Sequence, residues 1–202
     1  MNKRIVGAMV AGAIIALLAL PGLAALETGA RAPDFSATAS LAGKDFSFSL
    51  KQALAKGPVV VYFYPAAYTG GCDLEAHTFA THADKFDAAG ATIIGVSADS
   101  IERLNVFSAD PKYCAGKFPV ASDPDGKIAA TYGLEMMPPQ KGVTDVHGQP
   151  VTHGFLPRTT FVLDHTGKIV ATFSSKRDHL SPDQHVERSL AIVQKLESGK
   201  AP

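Results

Sequence analysis

The sequence predicts an α/β fold, a central sheet covered by helices on both faces. Three observations point there. The run Val59 to Tyr64 is apolar, β-branched and aromatic, as a strand buried on both faces requires. The segment that follows carries apolar residues at helical spacing. Strands and helices then alternate along the chain and finish as a hairpin followed by a helix.

Taken in order, Gly57-Pro58 ends a short helical stretch and opens the strand. After Pro65 to Gly71, the residues Ala76, Phe79, Ala80, Ala83 and Phe86 predict an amphipathic helix that begins at or near Cys72 and stops by Gly90. Thr92 to Val96 is the next strand. Asp99 and Glu102 have capping-box form, and Ile101, Leu104 and Phe107 give the apolar face of a helix that Pro111 cannot continue. Cys114 lies just past it. The DxxGK segments at Asp123 to Lys127 and Asp164 to Lys168 lack the ligand spacing of a calcium loop and read as turns. Thr159 to Leu163 and Ile169 to Phe173 flank the second turn as a hairpin, and Ser181-Pro182 caps a last helix with Val186, Leu190 and Val193 inward. From Gly133 to Thr159 the chain is rich in Pro, Gly and polar residues, long enough for a lid or a binding loop.

A chain of 202 residues, 46% hydrophobic and 19% charged, with no internal repeat, suits one domain with a proper core. The N-terminus reads as an address. Lys3 and Arg4 precede an apolar run from Ile5 to Leu20, then Pro21-Gly22 and the small residues Ala24 and Ala25. That run, residues 5 through 20, is shorter than the ~20 residues of a bilayer-spanning helix. A signal peptide over 1–25 is therefore expected, with one domain over 26–198 and a frayed tail over 199–202. An uncleaved anchor is the alternative. Cleavage places the protein in the periplasm or an equivalent exported compartment, without stable membrane association.

Formal charge is 19 basic against 19 acidic residues, and 17 against 19 once Lys3 and Arg4 are gone. Nucleic-acid binding is excluded on that balance. The chain is expected to act as a monomer or weak homodimer.

Two cysteines remain, Cys72 and Cys114. In an oxidising compartment the count alone favours a structural disulfide, although a chain of this size does not need one staple to fold. Chemistry offers a second reading. A thiol is nucleophilic as thiolate, and an ordinary cysteine pKa of ~8.5 leaves little thiolate at neutral pH. The first turn of a helix supplies unpaired N–H groups and the positive end of the dipole, both favouring the anion at Cys72. Gly70 and Gly71 let a small substrate approach the main chain, Thr69 offers a hydroxyl, and Pro65 stiffens the strand exit. An inert buried cysteine in a Gly-rich turn is the competing reading.

The spacing Pro65-x3-Thr69-x2-Cys72 resembles the active-site signature of peroxiredoxins, and RTTFVLD (Arg158 to Asp164) resembles their second signature. APDF (Ala32 to Phe35), GVSADS, FPVASDPDGK and ATYG follow in the family's order, so the resemblance covers nearly the whole mature chain. The type it is most similar to is the bacterioferritin-comigratory or peroxiredoxin Q group. The resemblance implies a thioredoxin-like fold with peroxiredoxin additions and a central mixed sheet. It implies a peroxidase for hydrogen peroxide and small organic hydroperoxides, acting in antioxidant defence with a thioredoxin-like dithiol protein as reductant and no cofactor. It makes Cys72 the peroxidatic cysteine, Thr69 its hydrogen-bonding partner, Pro65 a shield and Arg158 the guanidinium that stabilises thiolate and peroxide. Glu75, one turn beyond Cys72, is placed to hold Arg158. Cys114 sits where some peroxiredoxin Q proteins carry the resolving cysteine, which implies an intramolecular disulfide formed after local unwinding. Asp73 departs from the family, which usually has Thr there. It is expected to face solvent, since a carboxylate turned to the sulfur would raise the thiol pKa.

Seven histidines raise a metal reading. His77 and His82 do not align on a helix face, and His147, His153 and His165 fall in or beside loops, so solvated histidines and no metal site are expected. A thiol–disulfide exchanger or copper carrier of thioredoxin type needs a CxxC or CxxxC, whereas residues 72 to 76 read CDLEA.

Overall fold

The computed structural model describes residues 24–199. Most of the expected signal segment, and residues 200–202 of the tail, lie outside the described residues. The chain first forms a hairpin of β1 (Ser36–Leu41) and β2 (Lys44–Ser49), turned at Ala42 and Gly43 with φ of 51° and 81°. Two consecutive positive φ values match the right-handed twist of paired strands. After the short helix α1 (Leu50–Leu54) comes β3 (Val59–Phe63), buried at every position. Then follow α2 (Gly70–Ala88), β4 (Thr92–Ser97), α3 (Ile101–Ala109), β5 (Val120–Ser122) and α4 (Lys127–Thr131). The chain closes with β6 (Thr159–Leu163), β7 (Ile169–Ser174), the one-turn α5 (Ser175–Asp178) and α6 (Pro182–Glu197).

The strands make one mixed sheet in the order β2-β1-β5-β4-β3-β6-β7. The centre β5-β4-β3 is parallel, and every other pairing is antiparallel. Strand alternation divides the core in two. Val60, Tyr62 and Tyr64 face a cluster with Phe79 and Phe86 of α2, Leu104 and Phe107 of α3, and Val186 and Val193 of α6. Val59, Val61 and Phe63 face the other, with Leu50 and Ala53 of α1 and Ala129 of α4. Helices thus cover both faces, as expected. Gly95 on β4 lets the Tyr62 ring lie flat on the sheet: a Cβ there would fall 2.6 Å from Tyr62 Cζ.

The capping of α3 differs from the expectation. Ser100, not Asp99, is its N-cap, with Oγ accepting from Arg103 N at 3.4 Å. Asp99, one residue earlier, is fully buried and points into the molecule. Both DxxGK segments are turns: Asp123 accepts from Ile128 N and Ala129 N at 3.1 and 2.9 Å, and Asp164 Oδ1 from Thr166 N and Lys168 N at 2.9 and 3.0 Å. The long stretch from 133 to 158 forms neither helix nor extended strand. It folds back on itself through paired bonds between Met137 and Phe155, 2.9 and 2.8 Å, and a bridge between Thr144 and Pro150. Among the described residues, no helix is long and apolar enough to cross a membrane.

Candidate active site

The antiparallel register of β3 and β6 pairs Phe63 with Thr159. Residues just past Phe63 and just before Thr159 therefore emerge at the same end of the sheet, which brings Pro65 and Thr69 to Arg158. The chain turns through Tyr68, held at φ 60°, into α2, whose N-cap is Thr69. Cys72 is the third residue of that helix and 2% exposed. Its own N–H already bonds Thr69 O at 2.8 Å, so it is not one of the free donors expected of a first turn.

Arg158 Nη2 donates to Cys72 Sγ at 3.1 Å, while Nη1 donates to Glu75 Oε2. Glu75 is fully buried one turn along α2. Burial pushes its carboxyl up to about 7, with the Arg158 charge pulling it back. The Thr69 hydroxyl reaches two acceptors, Ala66 O at 2.7 Å and the Cys72 sulfur, whose pKa it pulls down when it donates there. Pro65 and Arg158 form the inner wall of a cleft of about 610 Å³ that continues along Leu134, Met136, Met137 and Pro138.

Two expectations at this site are corrected. Helix position was expected to lower the Cys72 pKa, yet the thiol is raised, because burial outweighs Arg158, the Ala66 N–H and the Thr69 hydroxyl, which all pull it down. Asp73 was expected to face solvent, yet it is 8% exposed, and its Oδ1 is buried with no hydrogen-bond partner. The cause is packing. The first turn of α2 sits against the turn after α3 and the long excursion, and the next position round the helix from Cys72 points between them. Burial raises Asp73 to about 6; the Tyr68 backbone N–H and His147 lower it, and Asp110 and Asp145 raise it.

Cys114 is fully buried on the turn after α3, in the same core cluster as Cys72, and both thiols are free. Burial pushes its pKa well up, followed by the charges of Asp110 and Asp73.

Behind the Pro65–Thr69 turn lies a set of residues that sequence reasoning missed. Asp99 Oδ2 accepts from Ala67 N and Ser97 Oγ, both at 2.8 Å. Its Oδ1 lies 2.9 Å from Arg103 Nε and 3.0 Å from His153 Nε2. Arg103 Nη2 in turn donates to Ala67 O at 2.9 Å and Asp145 Oδ2 at 2.7 Å. Both polar backbone groups of Ala67 are thereby fixed, and Val146 N–H holds Tyr68 O at 2.9 Å. His153 is thus not a solvated loop histidine: although burial opposes it, Asp99 raises its pKa. His185 is another buried one, between Thr160 Oγ1 and Ser175 Oγ at 2.9 and 3.0 Å, and burial pushes it down to about 4. Its signal was faint, one of two polar residues, with Ser189, on an otherwise apolar helix face. No group of three or more His, Cys, Asp or Glu among the described residues is arranged to hold a metal.

The AhpC/TSA family matches residues 28–172. Chloroplastic peroxiredoxin Q of Sedum lineare is 33% identical over 140 residues, 69% of this chain and 64% of that protein. Peroxidoxin BcpB from Mycobacterium tuberculosis superposes with a TM-score of 0.68 at 30% identity, covering 85% of this chain and 98% of that one. The bacterioferritin comigratory protein of Xanthomonas campestris gives 0.60 at 28% identity, covering 79% and 91%. A buried thiol at a helix start under an arginine, on a seven-stranded mixed sheet matched by these structures, leaves one assignment: the chain belongs to the AhpC/TSA family and is a thiol peroxidase of the bacterioferritin-comigratory or peroxiredoxin Q group, with a thioredoxin-like fold.

Proposed function

We propose that Cys72 is the attacking thiol, that Arg158 and Thr69 serve it and the peroxide, that Pro65 walls the site, and that Cys114 captures the product. The observation that carries this reading is the Arg158 Nη2 contact to Cys72 Sγ at 3.1 Å. In the first step the Cys72 thiolate attacks the terminal peroxide oxygen. An S–O bond forms, the O–O bond breaks, and the leaving alkoxide or hydroxide takes a proton from water. Charge shifts from sulfur to the leaving oxygen, and a guanidinium already beside the sulfur stabilises both ends of that shift. Glu75 keeps the guanidinium in plane. Cys72 is left as sulfenic acid.

In the second step the Cys114 thiol attacks Cys72 Sγ, the S–S bond forms, the S–O bond breaks and water leaves. A thioredoxin-like dithiol protein returns both thiols, as in peroxiredoxins generally. Hydrogen peroxide and small organic hydroperoxides are the substrates, a reading supported by the alkyl peroxide reduction activity of the Xanthomonas relative. The N-terminal pattern supports a periplasmic or otherwise exported enzyme, monomeric or weakly dimeric.

Pre-reduced protein should consume one equivalent of peroxide and end as a monomeric disulfide. Cys72→Ser should consume none, and Cys114→Ser should consume peroxide without forming that disulfide. Peroxide consumption by Cys72→Ser overturns the assignment of the attacking thiol. N-terminal sequencing of the protein from fractionated cells tests export: a mature chain beginning near Leu26 supports it, and a cytoplasmic chain beginning at Met1 refutes it.

A further inference from the structure

Cys72 and Cys114 are both buried with free thiols, and Cys72 Sγ is engaged by Arg158, so their disulfide takes Sγ off Arg158 and unwinds the first turn of α2 and the turn after α3 locally. Asp73 lies on the seam between them. It is the residue after Cys72, 8% exposed, and its Oδ1 has no partner. An acceptor buried without a partner is costly, and more so when charged.

The groups facing it explain why no partner is found. The turn before α2 gives the carboxylate the Tyr68 backbone N–H, which lowers its pKa and still leaves Oδ1 without a partner. The turn after α3 presents Asp110, Tyr113 and Cys114, and the long excursion presents Asp145 and His147. On α3, Arg103 is committed to Asp145 at 2.7 Å and to Asp99, and reaches no oxygen of Asp73. On α2 itself His77, four residues on, is committed to Lys112 O at 3.0 Å. Opening the seam would give the carboxylate water and separate it from Asp110 and Asp145.

We propose that Asp73 is a positioning residue for the resolving step: its carboxylate, buried with Oδ1 left without a partner, biases the first turn of α2 toward the unwound arrangement in which Cys72 reaches Cys114. The proposal rests on the reading of Cys114 as the resolving thiol. Asp73 is not consumed, since the Cys114 proton leaves in the water that carries off the sulfenic oxygen.

The sign of the pH dependence follows from burial raising this carboxyl from 3.8 to about 6. The packed form prefers the protonated acid, so it is most stable below 3.8 and loses stability as pH climbs from 3.8 through about 6. Opening should become easier over that window and stay so above it.

Hydrogen-exchange protection of residues 69–75 in the reduced protein, followed from pH 4.5 to 8 with the intrinsic exchange rate divided out, reads the opening directly. Wild type should lose about tenfold in protection across the window. Asp73→Asn should stay flat and, at neutral pH, form the disulfide about tenfold more slowly, with more sulfinic acid under excess peroxide. Asp73→Glu should restore the pH dependence, which a merely structural role would not. A wild-type profile in Asp73→Asn overturns the proposal. Disulfide formation by the wild type separates it from the reading beneath: Asp73-dependent protection in a wild type that never forms the disulfide overturns the resolving role of Cys114 and leaves the opening bias standing.

Discussion

A guanidinium is flat and offers two nitrogens along one edge, so Arg158 meets Glu75 and the Cys72 sulfur at once. An ammonium is a single point and can satisfy one of them. Arg158→Lys should therefore slow the reaction with peroxide by ~10²–10³, the loss typical of one preorganised donor, and raise the already raised thiol pKa further. Stopped-flow oxidation across pH measures both, and a rate within threefold of wild type would sink the role given to Arg158. That Pro65, Thr69, Cys72 and Arg158 should come together was legible only through the peroxiredoxin resemblance, whose two short motifs hold them at fixed spacing. Asp99 and Asp73 were not legible. Each is an acid beside a helix start, where sequence pattern favours a cap or a solvated side chain. Which of two neighbouring polar residues turns inward depends on what packs above, and for both that is a segment distant in the chain.

Among the elements, α2 contributes more than the site of the thiol. Its second residue, Gly71, lies under the arginine: a Cβ there would come 3.2 Å from Arg158 Nη2 and 3.5 Å from Pro182 Cγ. Alanine suits a first helical turn, so Gly71→Ala should leave stability nearly unchanged while shifting Nη2 off the sulfur. A fall of ~10-fold or more in the peroxide rate is expected, because small misplacements are costly at a reacting centre. Thermal melting beside the rate distinguishes this from simple destabilisation. The excursion from 133 to 158 acts on the same turn from the opposite side through His153 and Asp145. His153 has its pKa raised above 6.5 by Asp99, so its share of the clamp is complete below 6.5 and fades as pH rises past that raised value. His153→Gln should flatten the pH dependence of protection at Ala67 on the alkaline side, and an unchanged profile would show that Arg103 alone holds the turn. The helices, the central strand and the closing hairpin were readable from periodicity. The β1–β2 hairpin was not, because Ala42-Gly43 carries no Asn-Gly or Asp-Gly signal, and β5 is too short for a period to show.

For the whole molecule, the two roles open to the cysteine pair predict opposite effects on stability. A cross-link between residues 72 and 114 closes a loop of 42 residues, which by chain entropy stabilises a fold that accommodates it by ~4 kcal/mol. At this size that is on the order of 10 °C in melting temperature. Here the reduced fold buries both thiols and packs Tyr68 at 4% exposure against Phe107 and Tyr113 at ring distances of 5.0 and 5.3 Å. Unwinding the first turn of α2 and the turn after α3 to join the sulfurs forfeits the Arg158–Cys72 contact and exposes part of that aromatic cluster, and each large side chain released costs ~1.5–3 kcal/mol. Two such releases already cancel the entropic gain. The oxidised protein should therefore melt no higher than the reduced one, measured on the same sample before and after one equivalent of peroxide. A rise near 10 °C would instead mark a disulfide that the native packing accommodates, a staple and not a step in turnover.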